Sequence, residues 1–243
     1  MTLDSSNMLL NAGIGAHGEI EGELIYDNPL SGADHLAGFR MEGPGEMSFP
    51  AGRSCLESRP HPSEGQRANF VLWCPAIFPD GIAVTWDFWP VREPGLCMLF
   101  FAAQGRDGKD LFDPSFAPRD GQYGQYHHGE MNAYHVAYFR RALQEERAFH
   151  VCNLRKSYGL HLIAQGADPI PGVSDAEGPY RMRLLLHDGE IRFSINGLPV
   201  LQWKDDGVTY GPVLRSGRIG FRQLAPLIAD YANLKVYKLK DSR

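Results

Sequence analysis

The sequence contains few cysteines, and their placement excludes two common uses of that residue. There are four in 243 residues, and no two form a CxxC pair. Disulfide-rich folds and thiolate zinc sites need a denser or paired spacing. Each cysteine lies in an apolar, strand-like run, namely Cys55, Cys74, Cys97 and Cys152. We therefore expect buried free thiols and a cytoplasmic location.

An excess of positive charge is also absent, because 24 Lys and Arg stand against 29 Asp and Glu, the net charge is −5 and no basic tract is present. Nucleic acid and anionic membranes are therefore not expected as partners. Residues 1–20 contain no Lys or Arg and no long apolar run. The sequence thus predicts neither a secretory signal nor a transmembrane segment.

Sustained helical periodicity is missing, and short alternating segments take its place. Only residues 144–147 are expected to form a helical turn. Asp188-Gly189 and Asn196-Gly197 are two-residue hairpin signals between alternating segments. No Pro/Ser-rich linker or charge run divides the chain. We predict a single all-β domain over residues 1–243, built as a sandwich of two antiparallel sheets.

The predicted strands are short and closely spaced, as a sandwich requires. A long irregular segment, Gln104–Gly129, interrupts them, and loops of this length are often functional. The strands are expected at residues 19–26, 38–42, 54–57, 68–74, 82–89, 96–102, 132–141, 150–155, 160–165, 180–186, 191–195, 200–203, 218–222 and 228–237.

The last sixty residues carry a first resemblance. The Asn196-Gly197 hairpin is followed by "GRIGF" (Gly217–Phe221) and "YANLKV" (Tyr231–Val236). This order resembles the end of concanavalin-like lectin and glucanase domains. The resemblance implies a jelly-roll sandwich of a kind that usually binds or cleaves carbohydrate.

Strand alternation sorts side chains between the core and an open face. In residues 82–89 it directs Asp87 and Trp89 outward, and in residues 150–156 it directs Asn153 and Arg155 outward. In residues 160–165 it directs Leu160, Leu162 and Ala164 to the core and His161, Ile163 and Gln165 outward. Such a polar and aromatic face is either the floor of a groove or an ordinary solvated surface.

The segment Gly121–Arg141 holds the densest set of reactive side chains, including His127 and His128 at the end of the loop. Tyr134 and His135 are adjacent, so they point to opposite faces, and alternation does not decide which one faces the groove. A histidine in a strand is also commonly a core residue with a satisfied ring.

Paired catalytic carboxylates are absent, which argues against ordinary glycoside hydrolysis. Asp87 and Glu130 are the best single acids, and carboxylates on different strands could still meet. The residue types fit polysaccharide lyases better, in which Arg, Asn or Gln neutralises a uronate and Tyr or His moves the proton.

We therefore predict a site that acts on acidic oligosaccharides by lyase-type β-elimination. The alternatives are a glycoside hydrolase and a non-catalytic lectin-like module. The predicted catalytic residues are His135, Tyr134, His127 and His128. The predicted substrate-binding residues are Asp87, Trp89 as a stacking platform, Asn132, Asn153, Arg155, Lys156 and Gln165.

No cofactor is expected. The sequence has no HExxH motif and no complete EF-hand loop, so we also predict no metal site. His127, His128 and His135 with Asp87 or Glu130 form the nearest candidate ligand set.

Six further stretches resemble the YesU-like bacterial proteins, a family carried as a domain of unknown function. The resemblance implies the concanavalin-like jelly roll and a link to bacterial use of plant polysaccharides, notably rhamnogalacturonan. It implies no catalytic residues. The matching stretches are "AVTWDF" (Ala83–Phe88), "LCMLFFAAQG" (Leu96–Gly105), "YHVAYFRR" (Tyr134–Arg141), "CNLRKS" (Cys152–Ser157), "HLIAQGADPIP" (His161–Pro171) and "GRIGFRQLAP" (Gly217–Pro226).

Overall fold

The structure of the protein is a computed structural model that describes residues 20–240. Residues 1–19, which contain the start of the first predicted strand and the segment where no signal is expected, lie outside the described range. The strands are β1 (Gly22–Asn28), β2 (Arg40–Glu42), β3 (Gly45–Ser48), β4 (Ser54–Ser58), β5 (Phe70–Phe78), β6 (Ile82–Arg92), β7 (Leu96–Gly105), β8 (Met131–Tyr138), β9 (Val151–Ser157), β10 (His161–Ala167), β11 (Tyr180–His187), β12 (Glu190–Ile195), β13 (Leu198–Lys204), β14 (Gly217–Leu224) and β15 (Ile228–Leu239).

Helix is confined to short pieces between the strands. Two α-helical turns are present in the described range, α1 (Gly124–His127) and α2 (Gln144–Ala148). The second matches the helical turn predicted at residues 144–147. Short 3-10 segments cover Ala33–Leu36, Pro62–Ala68 and Val173–Asp175.

The strands form two antiparallel sheets. The first sheet has the order β13-β12-β11-β6-β15-β4-β3, and β1 pairs with β15 beside this path. The second has the order β10-β9-β8-β7-β14-β5-β2. Consecutive strands such as β6 and β7 lie in different sheets, so the chain crosses between the layers as in a jelly roll. The predicted all-β sandwich is confirmed.

Two tight turns fix the register of the β11–β12–β13 meander. Asp188 and Gly189 have φ of 46° and 76°, and Asn196 and Gly197 have φ of 50° and 78°. Two consecutive positive φ angles match the right-handed twist of a hairpin, and Asn, Asp and Gly adopt them most readily. These turns therefore form where the sequence predicts them.

The main core lies between the two sheets. Alternate residues of β6, including Val84, Trp86 and Phe88, are buried there, as the predicted alternation requires. The Trp86 ring stacks on Phe193 with ring centroids 6.2 Å apart. Aromatic pairs of this kind add about 0.5–1.5 kcal/mol beyond the buried area. Trp86 also packs on Tyr138 of β8, in the second sheet, with ring centroids 5.9 Å apart, so large rings from both layers fill the space between the sheets.

A second apolar layer covers the outer face of the second sheet. The segment Gln104–Gly129 folds back over this face and buries Tyr126 and Leu111 against Trp73 and Phe100. The predicted loop is therefore a packed part of the fold. We call this segment the covering loop.

Glu42 at the β2 edge attaches the covering loop to the sheet. Its carboxylate accepts hydrogen bonds from Trp73 Nε1 at 2.8 Å and from the Tyr126 hydroxyl at 3.0 Å. Arg119 donates to both carboxylate oxygens, at 2.7 and 3.0 Å. Because these groups are buried, the full set of bonds is needed to offset the cost of removing the charges from water.

All four cysteines are free thiols, and three of them are buried. Burial raises the pKa of the Cys55 thiol to about 11. The predicted free thiols are confirmed. Over residues 20–240, every helix is too short or too polar to cross a bilayer.

Candidate functional site

Two rows of outward side chains cross the second sheet near its β10 edge. In one row, His135 of β8 lies opposite Arg155 of β9. In the next, Asn153 of β9 lies opposite Gln165 of β10. The structure therefore brings four of the predicted site residues, from three strands, to one face of one sheet.

A β-bulge between Leu162 and Ala164 changes the predicted alternation of β10. Leu162 was expected in the core but is 41% exposed, whereas Ile163, expected outward, packs against the core with Ala164. A bulge adds one residue to a strand and reverses the faces beyond it. The predictions for Leu162 and Ile163 are wrong, and Gln165 nevertheless faces outward beside Asn153.

Arg155 is half-buried and has few partners of its own. One guanidinium nitrogen donates to the carbonyl of Leu160, in the β9–β10 turn, at 2.8 Å. Across residues 20–240 it forms no ion pair with a carboxylate. Since arginine carries five N–H donors, most of them remain available to a ligand.

An amide pair lies beside Arg155. Gln165 Nε2 donates to Asn153 Oδ1 at 2.8 Å, with Asn153 buried and Gln165 exposed. Each side-chain amide carries both donors and an acceptor, so the pair retains groups of both kinds. Such groups match the hydroxyls of a sugar.

His135 lies beneath the covering loop and is completely buried. Its Nε2 is 2.8 Å from the Tyr123 hydroxyl, and its ring packs on Phe100 with centroids 5.0 Å apart. Burial, aided by the nearby positive charge of Arg155 and Arg222, lowers the pKa of His135 to about 3. In this arrangement the ring is neutral and has no contact with solvent, so it cannot take a proton from a bound sugar.

His127 and His128 lie at the end of α1, with their Nδ1 atoms in contact. Burial, followed by the neighbouring His128, lowers the pKa of His127 to about 4. His128 is exposed, and its ring packs edge-on against Tyr158 with centroids 5.6 Å apart. Of the four predicted catalytic side chains, His128 is thus exposed, His127 is half-buried, and the other two are buried.

Tyr134 and Lys156 lie between the two sheets rather than in an open groove. Lys156 Nζ is 2.6 Å from Asp205 Oδ2 and 2.8 Å from the carbonyl of Gly211. The Tyr134 hydroxyl also donates to Asp205 and accepts from the backbone N–H of Leu214 at 3.1 Å. The prediction that these two side chains line a groove is wrong, because they face the core and hold the segment after β13.

Asp87 and Trp89 lie on the outer face of the first sheet, because β6 belongs to that layer. Asp87 accepts from Asn233 Nδ2 at 2.7 Å. The guanidinium of Arg53 lies 4.1 Å above the Trp89 ring, so that face of the ring is already occupied. The prediction that Asp87 and Trp89 share one groove with Arg155 is wrong.

Two further side chains singled out from the sequence accept hydrogen bonds from the backbone. Asn132 Oδ1 accepts from the backbone N–H of Tyr158 at 3.2 Å. Glu130 Oε2 accepts from the backbone N–H of Ala117 at 3.0 Å, within the covering loop. Glu130 precedes β8 of the second sheet, whereas Asp87 is on the first, so these two acids do not form a pair.

Within the described range, no three His, Cys, Asp or Glu side chains are grouped so as to hold a metal ion. His135, the third member of the candidate ligand set, has its Nε2 against Tyr123.

Comparison with known proteins places the chain in a family. Residues 23–236 match the family described as a domain of unknown function, DUF1961. The chain belongs to the DUF1961 family. The uncharacterized protein YesU of Bacillus subtilis strain 168 is 55% identical to this DUF1961 chain over 219 residues, which is 90% of this chain and 97% of YesU. The predicted YesU-like membership is confirmed.

Solved structures agree with the fold. A Bacillus subtilis protein of unknown function with a galectin-like fold is 55% identical, with a TM-score of 0.86 over 90% of this chain and 97% of that one. The carbohydrate-binding module CBM66 of Bacillus subtilis is 13% identical, with a TM-score of 0.52 over 82% and 95%. Because the identity to CBM66 is only 13%, this similarity shows a shared fold and nothing about function. This DUF1961 chain therefore has a galectin-like, lectin-type sandwich.

Sequence reasoning missed a pocket beside α1 of this DUF1961 chain. It has a volume of about 480 Å³. Part of it is encoded in the run "GQYGQYHH" (Gly121–His128), where amide and aromatic residues alternate. Gln66 comes from a distant 3-10 segment and carries no local signal. The lining residues are Gln66, Gln122, Tyr123, Gly124, Gln125 and His127.

Proposed function

We propose that the protein binds an acidic oligosaccharide on the outward face of β9 and β10. The observation that carries this proposal is Arg155, a half-buried guanidinium with no carboxylate counter-ion in residues 20–240. A partly desolvated charge without a partner costs free energy, which an anionic ligand offsets. The planar fork of arginine matches a carboxylate, and hydrogen bonds of this type are stronger than neutral ones.

The Asn153–Gln165 amide pair supports a sugar as the rest of that ligand. Its unused donors and acceptors lie next to Arg155, on the same outward face. A uronic acid presents both a carboxylate and hydroxyls within one ring. One sugar unit would therefore engage the guanidinium and the amides together.

Binding without cleavage is favoured over lyase-type β-elimination, because the two first-named bases are buried and burial keeps His127, which lines the pocket beside α1, a weak base with a pKa of about 4. His135 and Tyr134 are both fully buried. His128 is the exposed candidate, and its ring lies against Tyr158 rather than beside Arg155 in the sheet register. Hydrolysis is less favoured still, because Asp87 and Glu130 are not paired.

Pectic and rhamnogalacturonan-type fragments are the ligands we propose first. They contain uronates, and the YesU-like resemblance implies use of such polysaccharides. We also propose that the protein works in a reducing compartment such as the cytoplasm, since its four cysteines are free thiols.

Replacement of Arg155 by glutamine is expected to weaken binding of trigalacturonate about 10- to 100-fold. This range corresponds to the loss of one charged hydrogen-bonding group, about 1.5–3 kcal/mol. The binding constant is measured by titration calorimetry. The fully methyl-esterified trisaccharide, which lacks the negative charges, should lose much less affinity in the same variant.

Arg59→Gln is the matched control, because it removes the same charge from a side chain that is 67% exposed. It should leave binding unchanged. Equal loss for the charged and the esterified ligand would contradict the carboxylate role of Arg155. Absorbance of the unsaturated uronate product, followed in the same samples, would rise if the protein were a lyase.

A further inference from the structure

The outer face of the first sheet carries a large hollow, on the opposite side of the molecule from Arg155. It has a volume of about 1490 Å³ and receives side chains from β6, β11, β12, β13 and β15. This volume exceeds that of a typical small-molecule pocket, which is about 300–1,000 Å³. Its lining combines apolar surface with a set of polar side chains that includes Thr85, Arg181, Arg183, Ser194, Gln202 and Lys235.

Arg183 lies near the middle of this hollow. On β11 it is paired with Thr85 of β6 on one side and with Ser194 of β12 on the other. Lys235 of β15 continues the same row beyond Thr85. Two hydroxyl groups therefore flank the guanidinium across the sheet. Such a row of donors suits an anion with hydroxyl or carboxylate oxygens.

The cations of this face differ in how they are neutralised. Lys235 pairs with Asp27 at 3.4 Å, and Arg192 pairs with Glu190 at 2.6 Å. Arg183 is half-buried, and in residues 20–240 neither it nor Arg181 forms an ion pair or a side-chain hydrogen bond. Burial also lowers the pKa of Arg183 below the usual arginine value. Neither guanidinium is held in a salt bridge, since Asp87, which lies opposite Arg181 in the register, accepts from Asn233 instead.

Arg181 and Arg183 are two residues apart on one strand, so they share a face at a spacing of about 7 Å. One small anion would satisfy only one of them. A ligand with repeated negative charges along an extended chain would satisfy both. The hollow extends across several strands, so it is large enough to hold such an extended chain.

We propose that this hollow is a second binding site for acidic oligosaccharide, centred on Arg183. The ligand class rests on the function proposed for Arg155, whereas the site itself rests on residues of the other sheet. The molecule would then carry one site on each outer face, and a single copy would link two saccharide chains.

A nucleic acid is a less suitable occupant. The chain has a net charge of −5, so its overall field repels a polyanion that is recognised mainly through many phosphate contacts. The two unpaired arginines provide a local attraction only. Hydroxyl and amide groups in the lining favour a ligand with fewer charges and more hydroxyls.

The test is the stoichiometry of trigalacturonate binding to the full chain, measured by titration calorimetry. The wild-type protein should bind two molecules. Arg183→Gln should bind one, with the second site weakened at least tenfold, and Arg155→Gln should keep the site at Arg183. Arg215→Gln, which removes an exposed charge at Asp80 and Asp188 near one end of the same sheet, is the control and should bind two.

Several outcomes separate the two proposals. One molecule bound by the wild type, lost in Arg155→Gln and unchanged in Arg183→Gln, would overturn the second site and leave the first. One molecule lost only in Arg183→Gln would support the second site and reject the first. Competition by single-stranded DNA at equal charge concentration would overturn the saccharide assignment of the hollow. A matching melting temperature for both variants excludes unfolding as the cause.

Discussion

Replacement of Asp205 by alanine should lower the free energy of unfolding by about 3–5 kcal/mol, as expected when one partner of a buried ion pair is removed. The pair is almost inaccessible, with 2% of the Lys156 side chain and 1% of the Asp205 side chain exposed. Alanine would leave the hydroxyl of Tyr134 without its acceptor and the ammonium of Lys156 with the carbonyl of Gly211 but no counter-ion. The measurement is urea denaturation of the wild type and the variant.

The residue immediately before Asp205 provides a matched control. Lys204 pairs with Asp188 at 3.5 Å, but both side chains are more than half exposed, at 57% and 62%. Exposed pairs contribute about 0–1 kcal/mol, so Lys204→Met should change stability little. The double variant Lys156→Met/Asp205→Leu should recover much of the loss, since it leaves no unpaired charge. A loss below about 1 kcal/mol in Asp205→Ala would contradict this account.

Low pH should also lower the free energy of unfolding substantially, because His135 is buried in its neutral form. Its pKa is about 3 in the folded protein, against 6.5 ordinarily. Between these values the unfolded chain binds a proton that the folded chain does not. Stability is therefore fully present above about pH 6.5 and falls as the pH decreases, by up to ~1.4 kcal/mol per pH unit for this one group.

The variant His135→Phe isolates this contribution. It removes the titrating ring and keeps an aromatic group against Phe100. The Tyr123 hydroxyl loses its partner, but burial raises its pKa to about 12, so it adds only a constant offset between pH 4 and 8. Unfolding free energies measured across that range should fall less steeply for the variant. Parallel pH profiles of the unfolding free energy for the wild type and the variant would contradict the lowered pKa of His135.

The fold could be predicted because its signals are local. The paired turns at Asp188-Gly189 and Asn196-Gly197 depend only on the residues within them, and the alternation of β6 reflects a sheet with one buried face. The edge strand β3 was missed, since Gly45–Ser48 has no apolar alternation and owes its pairing to β4. Local chemistry therefore determines most, but not all, of the strands.

The candidate site was less predictable, and β8 shows why. Tyr134 and Val136 face the main core, while Ala133, His135 and Ala137 are buried on the other side. A strand buried on both faces shows no contrast from which to read a groove. For the same reason the sequence did not decide whether Tyr134 or His135 faces the groove.

Long-range contacts and local irregularity account for the other errors. The partner of Lys156 is Asp205, in a segment that no sequence pattern links to β9. The bulge in β10 reversed the assignment of Leu162, and a single inserted residue leaves no distinct signature in an apolar strand. The outward positions of Asn153 and Arg155 followed from simple alternation and were correct.

The covering loop limits the size of any ligand that binds on the outer face of the second sheet. Because Tyr126 and Leu111 occupy the space above β5 and β7, the outer face there is closed. Open backbone and side chains remain toward β9 and β10, whose spacing is about 4.8 Å. A polymer cannot lie across the full width of this sheet. The surface would therefore bind the end of a saccharide chain, or a short fragment, and would not bind internal segments of a long chain.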